Sequence, residues 1–292
     1  MNSAASKQYK WIAAGIVFAL LWASASTATK IGLSAAQPLV IAEVRFIIAA
    51  MLMLVFSHVI KRQQLPSGKE WKYLTVYGFL NITVYLGCYV VAMQQVTAGV
   101  GALSVATNPL FISFLSSFFL KKKLSQSVII AIILGTLGVV IASLPQLEQA
   151  TVTAAGLLLL LFSMSAYSAG AIYFSAKEWN GLSLFTINGW QTLIGGILLL
   201  PFAVCNYHNN YNHFSFTFWT SVLWLAIPVS VFAVQVWLWL LKTNTVKAGL
   251  WLFLCPVFGF AIAAWLMHDV ISNYTITGVL LVMAGLFLAQ RN

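Results

Sequence analysis

Two charged side chains, Glu43 and Arg45, stand inside an apolar run that begins after Pro38. A mid-membrane arginine costs about 2.5–3.5 kcal/mol on insertion scales, and Arg45, so near the start of its helix, would lie only about 10 Å deep. At spacing i, i+2 the two side chains project about 200° apart, so they cannot neutralise each other along one helix face. Each needs a partner from another helix, from water or from a solute, and Arg45 reads either as a structural anchor or as an anion-binding group. Glu43 is the one carboxylate well inside a span. It is the candidate carrier if a buried acid couples solute movement to protons, and Lys30 is a possible partner for it.

Other polar side chains fall into patterns. Tyr77, Asn81 and Tyr85 recur at spacing four and share a helix face. An asparagine facing lipid would be unsatisfied, so this stripe turns to protein or to a water-filled cavity. Trp22 and Tyr167 sit in the small, hydroxylated runs Trp22 to Thr29 and Ser163 to Gly170, where a large ring must project into open space. Pro109 and Pro256 remove the hydrogen bonds to the carbonyls of Val105 and Leu252, with Ser104, Thr107, Asn108, Trp251 and Cys255 around them. Trp224, Pro228 and Gln235 occupy the span equivalent to that of Asn81. The expected cavity surface is therefore Trp22, Arg45, Tyr77, Asn81, Tyr85, Asn108, Tyr167, Trp224, Gln235 and Trp251. Such a surface suits a mainly apolar or zwitterionic solute held by stacking and a few hydrogen bonds. A polyphosphate would require several fixed cations. No cofactor or metal is expected: Cys88, Cys205 and Cys255 have no ligand spacing, and His208 and His213 lack a carboxylate or cysteine companion.

The elements that must position these groups follow from composition. With 61% hydrophobic and 7% charged residues in 292, the chain cannot cover a water-soluble sphere, and lipid is its solvent. At about 20 residues per span there are ten all-α transmembrane candidates. These are Trp11 to Leu33, Leu39 to Ile60, Tyr73 to Met93, Gly99 to Leu120, Val128 to Leu144, Ala154 to Ala176, Phe185 to Cys205, Phe218 to Leu241, Ala248 to Met267 and Thr275 to Ala289. What remains cannot hold a soluble domain of even about 50 residues, which excludes an ATP-hydrolysing module in this chain. The net charge of +10 is not a nucleic-acid footprint, because its basic residues alternate with the loops. Lys7, Lys10, Lys61, Arg62, Lys69, Lys72, Lys121 to Lys123, Lys177, Lys242, Lys247 and Arg291 fall on one side, and only Lys30 on the other. By the positive-inside rule both termini are cytoplasmic. Ala23-Ser24-Ala25 resembles a signal cleavage site, but the apolar run continues to Leu33 and reads as a retained span.

The stretch Val100 to Ala142 returns 147 positions later as Lys247 to Ala289. Pro109 falls on Pro256, Ser125 on Ser272, Gly138 on Gly285 and Ala142 on Ala289. This implies two repeats, residues 1–146 and 147–292. Five helices is an odd number, so the second repeat enters the membrane from the opposite side and is inverted. Inverted repeats with breaks at matching positions are the architecture of alternating access. Small residues in spans five and ten suit close helix crossing, within the chain or between copies. A homodimer would use Ala131, Gly135, Gly138, Gly278 and Gly285.

Several pieces in this order, Trp22-Ala23-Ser24 with Lys30, Glu43-Val44-Arg45-Phe46, Thr97-Ala98-Gly99 leading to Asn108-Pro109-Leu110, and Lys121-Lys122-Lys123-Leu124-Ser125, resemble the drug/metabolite transporter superfamily, specifically its EamA type. The resemblance covers nearly the whole chain. It departs at Ala23, where the family often has glycine, and in the turn, where an acidic residue is usual. The resemblance implies ten helices, with one to four and six to nine around a cavity and five and ten at the periphery. It further implies a secondary transporter exporting amino acids, other metabolites or drugs across the bacterial inner membrane, with a small solute and the bilayer as partners and no nucleic acid. A passive channel would keep the pore and the repeat without alternating access. A membrane-embedded enzyme has little to work with: five acidic residues, Asp269 at a membrane edge, and no phosphate loop, zinc-protease helix or serine-nucleophile elbow.

Reporter fusions test the charge asymmetry. Those after Leu33, Gln146, Asn209 and Asp269 should be external, and those after Gln64, Leu124, Lys177 and Lys242 internal; consistent inversion of any one loop would refute the ten-span reading.

Overall fold

The computed structural model describes residues 3–105, 107–119, 126–148, 151–243, 251–252 and 254–290. Leu120 to Ser125, Lys247, Ala248 and Arg291, named above, and the side chains of Lys7, Pro109, Ala131, Lys242 and Ala289, lie outside them. The described chain forms ten helical rods. They are α1 (Ser3–Leu33), α2 (Pro38–Leu54, continued by a π-helical Val55–Ile60), α3 (Lys69–Gly78, π-helical Phe79–Leu86, Gly87–Ala92) and α4 (Ala98–Val105 and Asn108–Phe119). Then come α5 (Gln126–Glu148), α6 (Ala154–Ser175), α7 (Leu184–Cys205), α8 (Phe216–Trp224, π-helical Leu225–Ala233, Val234–Thr243), α9 (Leu254–Met267) and α10 (Asn273–Gln290). Six stretches are long and apolar enough to cross a membrane: Tyr9–Leu33, Pro38–Ile60, Lys69–Ala92, Ala154–Ser175, Leu184–Cys205 and Phe216–Leu240. Their outward faces carry residues such as Ile197, Val204, Leu158 and Phe162, an apolar surface that water would not tolerate and lipid does. The chain is an all-α multi-pass membrane protein.

Local chemistry starts these helices. Pro38 opens α2 behind an extended Gln37, where a missing N–H costs nothing. Thr153 accepts from Gly156 N at 3.0 Å before α6, and Ser183 accepts from Thr186 N at 3.0 Å before α7, each satisfying an orphan donor. Glu70 reaches back to Ser67 N at 2.7 Å, as in a capping box.

The 147-residue interval runs through the described elements. Lys69 and Phe216 begin α3 and α8, Gly87 and Val234 begin their last segments, and Gln126 and Asn273 begin α5 and α10. The π-helical segments of α3 and α8 occupy corresponding positions, Phe79–Leu86 and Leu225–Ala233. Only the second has a local cause in the sequence, Pro228, which cannot donate its hydrogen bond.

The proline interruptions differ from a mid-helix kink. In α4 the helix stops at Val105, turns at Thr107 and restarts at Asn108. Pro109 therefore lies in the first turn of a new helix, and Pro256 is likewise the third residue of α9. In a first turn the missing N–H leaves no gap in the ladder.

Small residues bring backbones together. A Cβ on Gly138 would lie 2.6 Å from Gly278 O, and one on Gly278 would collide with Gly138 O, so α5 and α10 cross backbone to backbone inside one chain. Gly135 admits Leu110 in the same way. At Gly78 and Gly195, α3 and α7 make a comparable crossing, and Thr83 Oγ1 donates to Gly195 O at 2.7 Å. Gly138→Ala should force α5 from α10 and cost about 1–3 kcal/mol, read as a lower Tm of the purified protein. Gly170→Ala is the control: its Cβ would meet nothing nearer than 3.5 Å, and its Tm should not fall.

Candidate functional site

A cavity of about 410 Å³ opens between α1, α2, α3, α4, α6, α7 and α8. Its wall includes Trp22 and Ser26 from α1, Arg45 from α2, and Tyr77, Asn81, Tyr85 and Tyr89 from α3. Ala102 and Val105 come from α4, Tyr167 and Phe174 from α6, Asn188, Gln191 and Thr192 from α7, and Val229, Ser230 and Trp237 from α8. Among the described residues α5, α9 and α10 contribute none. Both matching π-helical segments reach the wall, through Ile82 and Tyr85 on one side and Val229 and Ser230 on the other. A π turn interrupts the regular ladder and is often found at functional sites.

One polar chain ties three of these helices together. Asn81 Nδ2 donates to Gln191 Oε1 at 3.1 Å, Gln191 Nε2 to Asn188 Oδ1 at 2.8 Å, and Asn188 Nδ2 to Ser230 O at 3.1 Å. Arg45 joins its end, with Nε donating to Ser230 Oγ at 2.9 Å. The remaining wall is largely aromatic. Tyr85 and Tyr167 lie 4.9 Å apart between ring centroids, Trp22 and Tyr167 6.4 Å, and Tyr77 and Phe174 5.2 Å. Such a surface offers stacking with a short row of hydrogen-bonding groups and one guanidinium.

Of the residues singled out from sequence, the fold brings Trp22, Arg45, Tyr77, Asn81, Tyr85 and Tyr167 to this cavity. It places the others elsewhere. Trp224 is 43% exposed and its Nε1 donates to Ser24 Oγ at 2.9 Å. Gln235 donates to Leu184 O at 3.4 Å, on the junction of α8 and α7. Asn108 is buried, its carbonyl accepting from Ser168 Oγ at 3.2 Å. Trp251 covers Gly15 and packs on Trp11 at 5.3 Å. Asn188 and Ser230 were not singled out. Asn188 stands three residues before Gln191, an amide pair on one helix face, and that spacing was the available signal.

Glu43 and Lys30 lie away from the cavity and from each other's chemistry. Glu43 borders a separate crevice with Val40, Leu200, Ala203, Val204 and Tyr207, and its Oε1 has no hydrogen-bond partner. Lys30 Nζ donates to Met93 O at 2.9 Å and Val96 O at 2.7 Å. The acid that feels its charge is Asp269, which also accepts from Gly99 N at 3.3 Å. Burial raises the Asp269 carboxyl above its ordinary range, opposed by that N–H and by Lys30.

With this geometry in place, comparison with known proteins gives the family. The EamA-like transporter family model matches residues 9–144 and 154–290. The chain belongs to the EamA-like transporter family. It is a family of transporters, not of enzymes. The chain is similar to protein PecM of Dickeya dadantii, 26% identical over 92% of this chain and 89% of that one. It is also similar to the uncharacterized transporter YoaV of Bacillus subtilis, 24% identical over 92% of each. A protein of known crystal structure, 16% identical, superposes with a TM-score of 0.66 over 96% of both chains, a likeness of fold alone.

The polar chain makes a prediction of its own. Gln191→Leu removes the acceptor of Asn81 and the donor to Asn188, and each buried orphan costs about 1–3 kcal/mol. Its Tm should drop, and Asn81→Leu added to it should recover part of the loss; strictly additive losses would show that the two amides do not interact.

Proposed function

We propose that this chain is a secondary transporter that moves a small organic solute by alternating access through the cavity between residues 1–146 and 147–292. The observation that carries the reading is that one aromatic and amide-lined cavity takes its walls from α1–α4 of the first repeat and α6–α8 of the second. Membership of a transporter family supports the same conclusion. The repeats are inverted, five spans each, with both termini cytoplasmic, as the one-sided placement of lysine and arginine supports. The membrane is the bacterial inner membrane and the direction is export. The solute meets Trp22, Arg45, Tyr77, Asn81, Tyr85 and Tyr167. A homodimer through the glycine stripes is not part of the proposal, because Gly138 and Gly278 already face each other within one chain. Glu43, with an unpartnered oxygen beside its own crevice, is the group proposed to carry a proton if a proton gradient drives transport.

Purified protein in liposomes tests all three parts. Uptake of a solute found by screening should saturate and be accelerated several-fold by the same solute on the far side; flux without that acceleration would make the protein a passive channel. The folded Asn81→Ala, Tyr85→Ala double variant should lose most of this flux, and an unchanged rate across solute concentrations would remove the cavity from the pathway. In the same vesicles Glu43→Gln should no longer respond to a pH gradient, and an undiminished response ends the proton role.

A further inference from the structure

The cavity is uneven in charge. Among its described lining residues Arg45 is the one charged side chain, and there is no aspartate or glutamate. Arg45 is 5% exposed, so its guanidinium is withdrawn from bulk water without a carboxylate to offset the loss. Its Nε–H is engaged by Ser230 Oγ at 2.9 Å. Ser230 is held in turn, its carbonyl accepting from Asn188 Nδ2 at 3.1 Å. That anchor fixes the guanidinium plane and leaves Nη1 and Nη2 without a hydrogen-bond partner among the described residues.

Building on the cavity as the transport site, we propose that it selects monoanionic aromatic carboxylates, with the carboxylate docked on the two terminal nitrogens of Arg45. Those nitrogens present parallel N–H groups that match the two oxygens of a carboxylate in a fork. The fork is oriented before the solute arrives, which lowers the ordering cost of binding. The body of the solute rests against the wall of Trp22, Tyr85 and Tyr167, where the Tyr167 ring centroid stands 4.9 Å from that of Tyr85 and 6.4 Å from that of Trp22. Charge sets the selection. A monoanion brings the site to neutrality. A zwitterion adds an ammonium that finds only neutral phenol, hydroxyl and amide oxygens in a wall without an acid, and a dianion adds a charge for which the wall has no second cation. A cation meets Arg45 itself.

Calorimetric titration of the detergent-purified full chain with four probes of one skeleton tests this: phenylacetate, phenylalanine, phenylacetamide and phenethylamine. Phenylacetate should bind at least ten-fold more tightly than the amide and the amine, and several-fold more tightly than phenylalanine. Arg45→Gln should bring phenylacetate to the affinity of the amide, and Arg45→Lys, which keeps the charge without the fork, should fall between. Ser230→Ala guards against a misfolded Arg45 variant: it should weaken phenylacetate several-fold and narrow its advantage over the amide. Equal binding of acid and amide by the parent chain, tightest binding of phenylalanine, or no binding of any probe would overturn the proposal. Tyr85→Ala separates it from the function on which it rests. Weaker binding of every probe without the stated order keeps the cavity and overturns the anion assignment, whereas binding altered by neither Tyr85→Ala nor Arg45→Gln overturns both.

Discussion

Hydrocarbon offers no hydrogen bonds, and an unpaired polar group within it costs several kcal/mol. In this chain four polar residues inside the spans are arranged around one another. Asn81, Gln191, Asn188 and Ser230 form a single donor-to-acceptor series across α3, α7 and α8. The isolated hydroxyls turn back on their own helices, as Thr29 does to Ala25 O at 2.7 Å and Ser143 to Val139 O at 2.7 Å. Helices that cannot draw on a hydrophobic effect for their association depend on close packing instead, which is the work of the glycine crossings at Gly138 with Gly278 and Gly78 with Gly195. The second of these crossings also positions the cavity, since Gly78 and Gly195 lie one turn from Asn81 and Gln191 on the same two helices.

The division between packing helices and cavity helices follows from the same requirement. α5 and α10 carry few polar side chains and cross each other at Gly138 and Gly278. The helices with amides and phenols cannot face lipid on those sides, so they face inward and enclose the space that remains. π-helical turns appear in α3 and α8 where this inward face is richest. Tyr85 and Ser230 reach the cavity from within these segments.

Partners on distant helices limit what could be read from the sequence. Six long spans were legible because a long apolar run has one meaning in this composition, and the ends of α2, α6 and α7 fell within about two residues of the expected ones, inside the usual scatter of helix boundaries. The face of Tyr77, Asn81 and Tyr85 was legible because a buried amide has few alternatives to an inward position. Gln235 was not, because an amide's presence in the span equivalent to that of Asn81 does not fix its face, and Val234 and Trp237 line the cavity in its place. Trp251 was misleading for a different reason. The space its ring occupies is made by Gly15, far away in the chain, and no local pattern records that match. Asn188 and Ser230 are ordinary residues locally, and they acquire a role only through partners on other helices.

The fate of Glu43 and Arg45 shows how helix geometry and lipid act together. Two residues apart on a regular helix, they point in nearly opposite directions, and α2 stands between two environments. One side of it meets α8 across the cavity, and there Arg45 reaches Ser230. The other side meets α7 at the crevice of Leu200, Ala203, Val204 and Tyr207, where Glu43 stands. An acid three or four residues from Arg45 would have shared its face and could have paired with it. The observed spacing keeps the charges apart. The cavity is thereby left with an unopposed cation, and the carboxylate is left outside it.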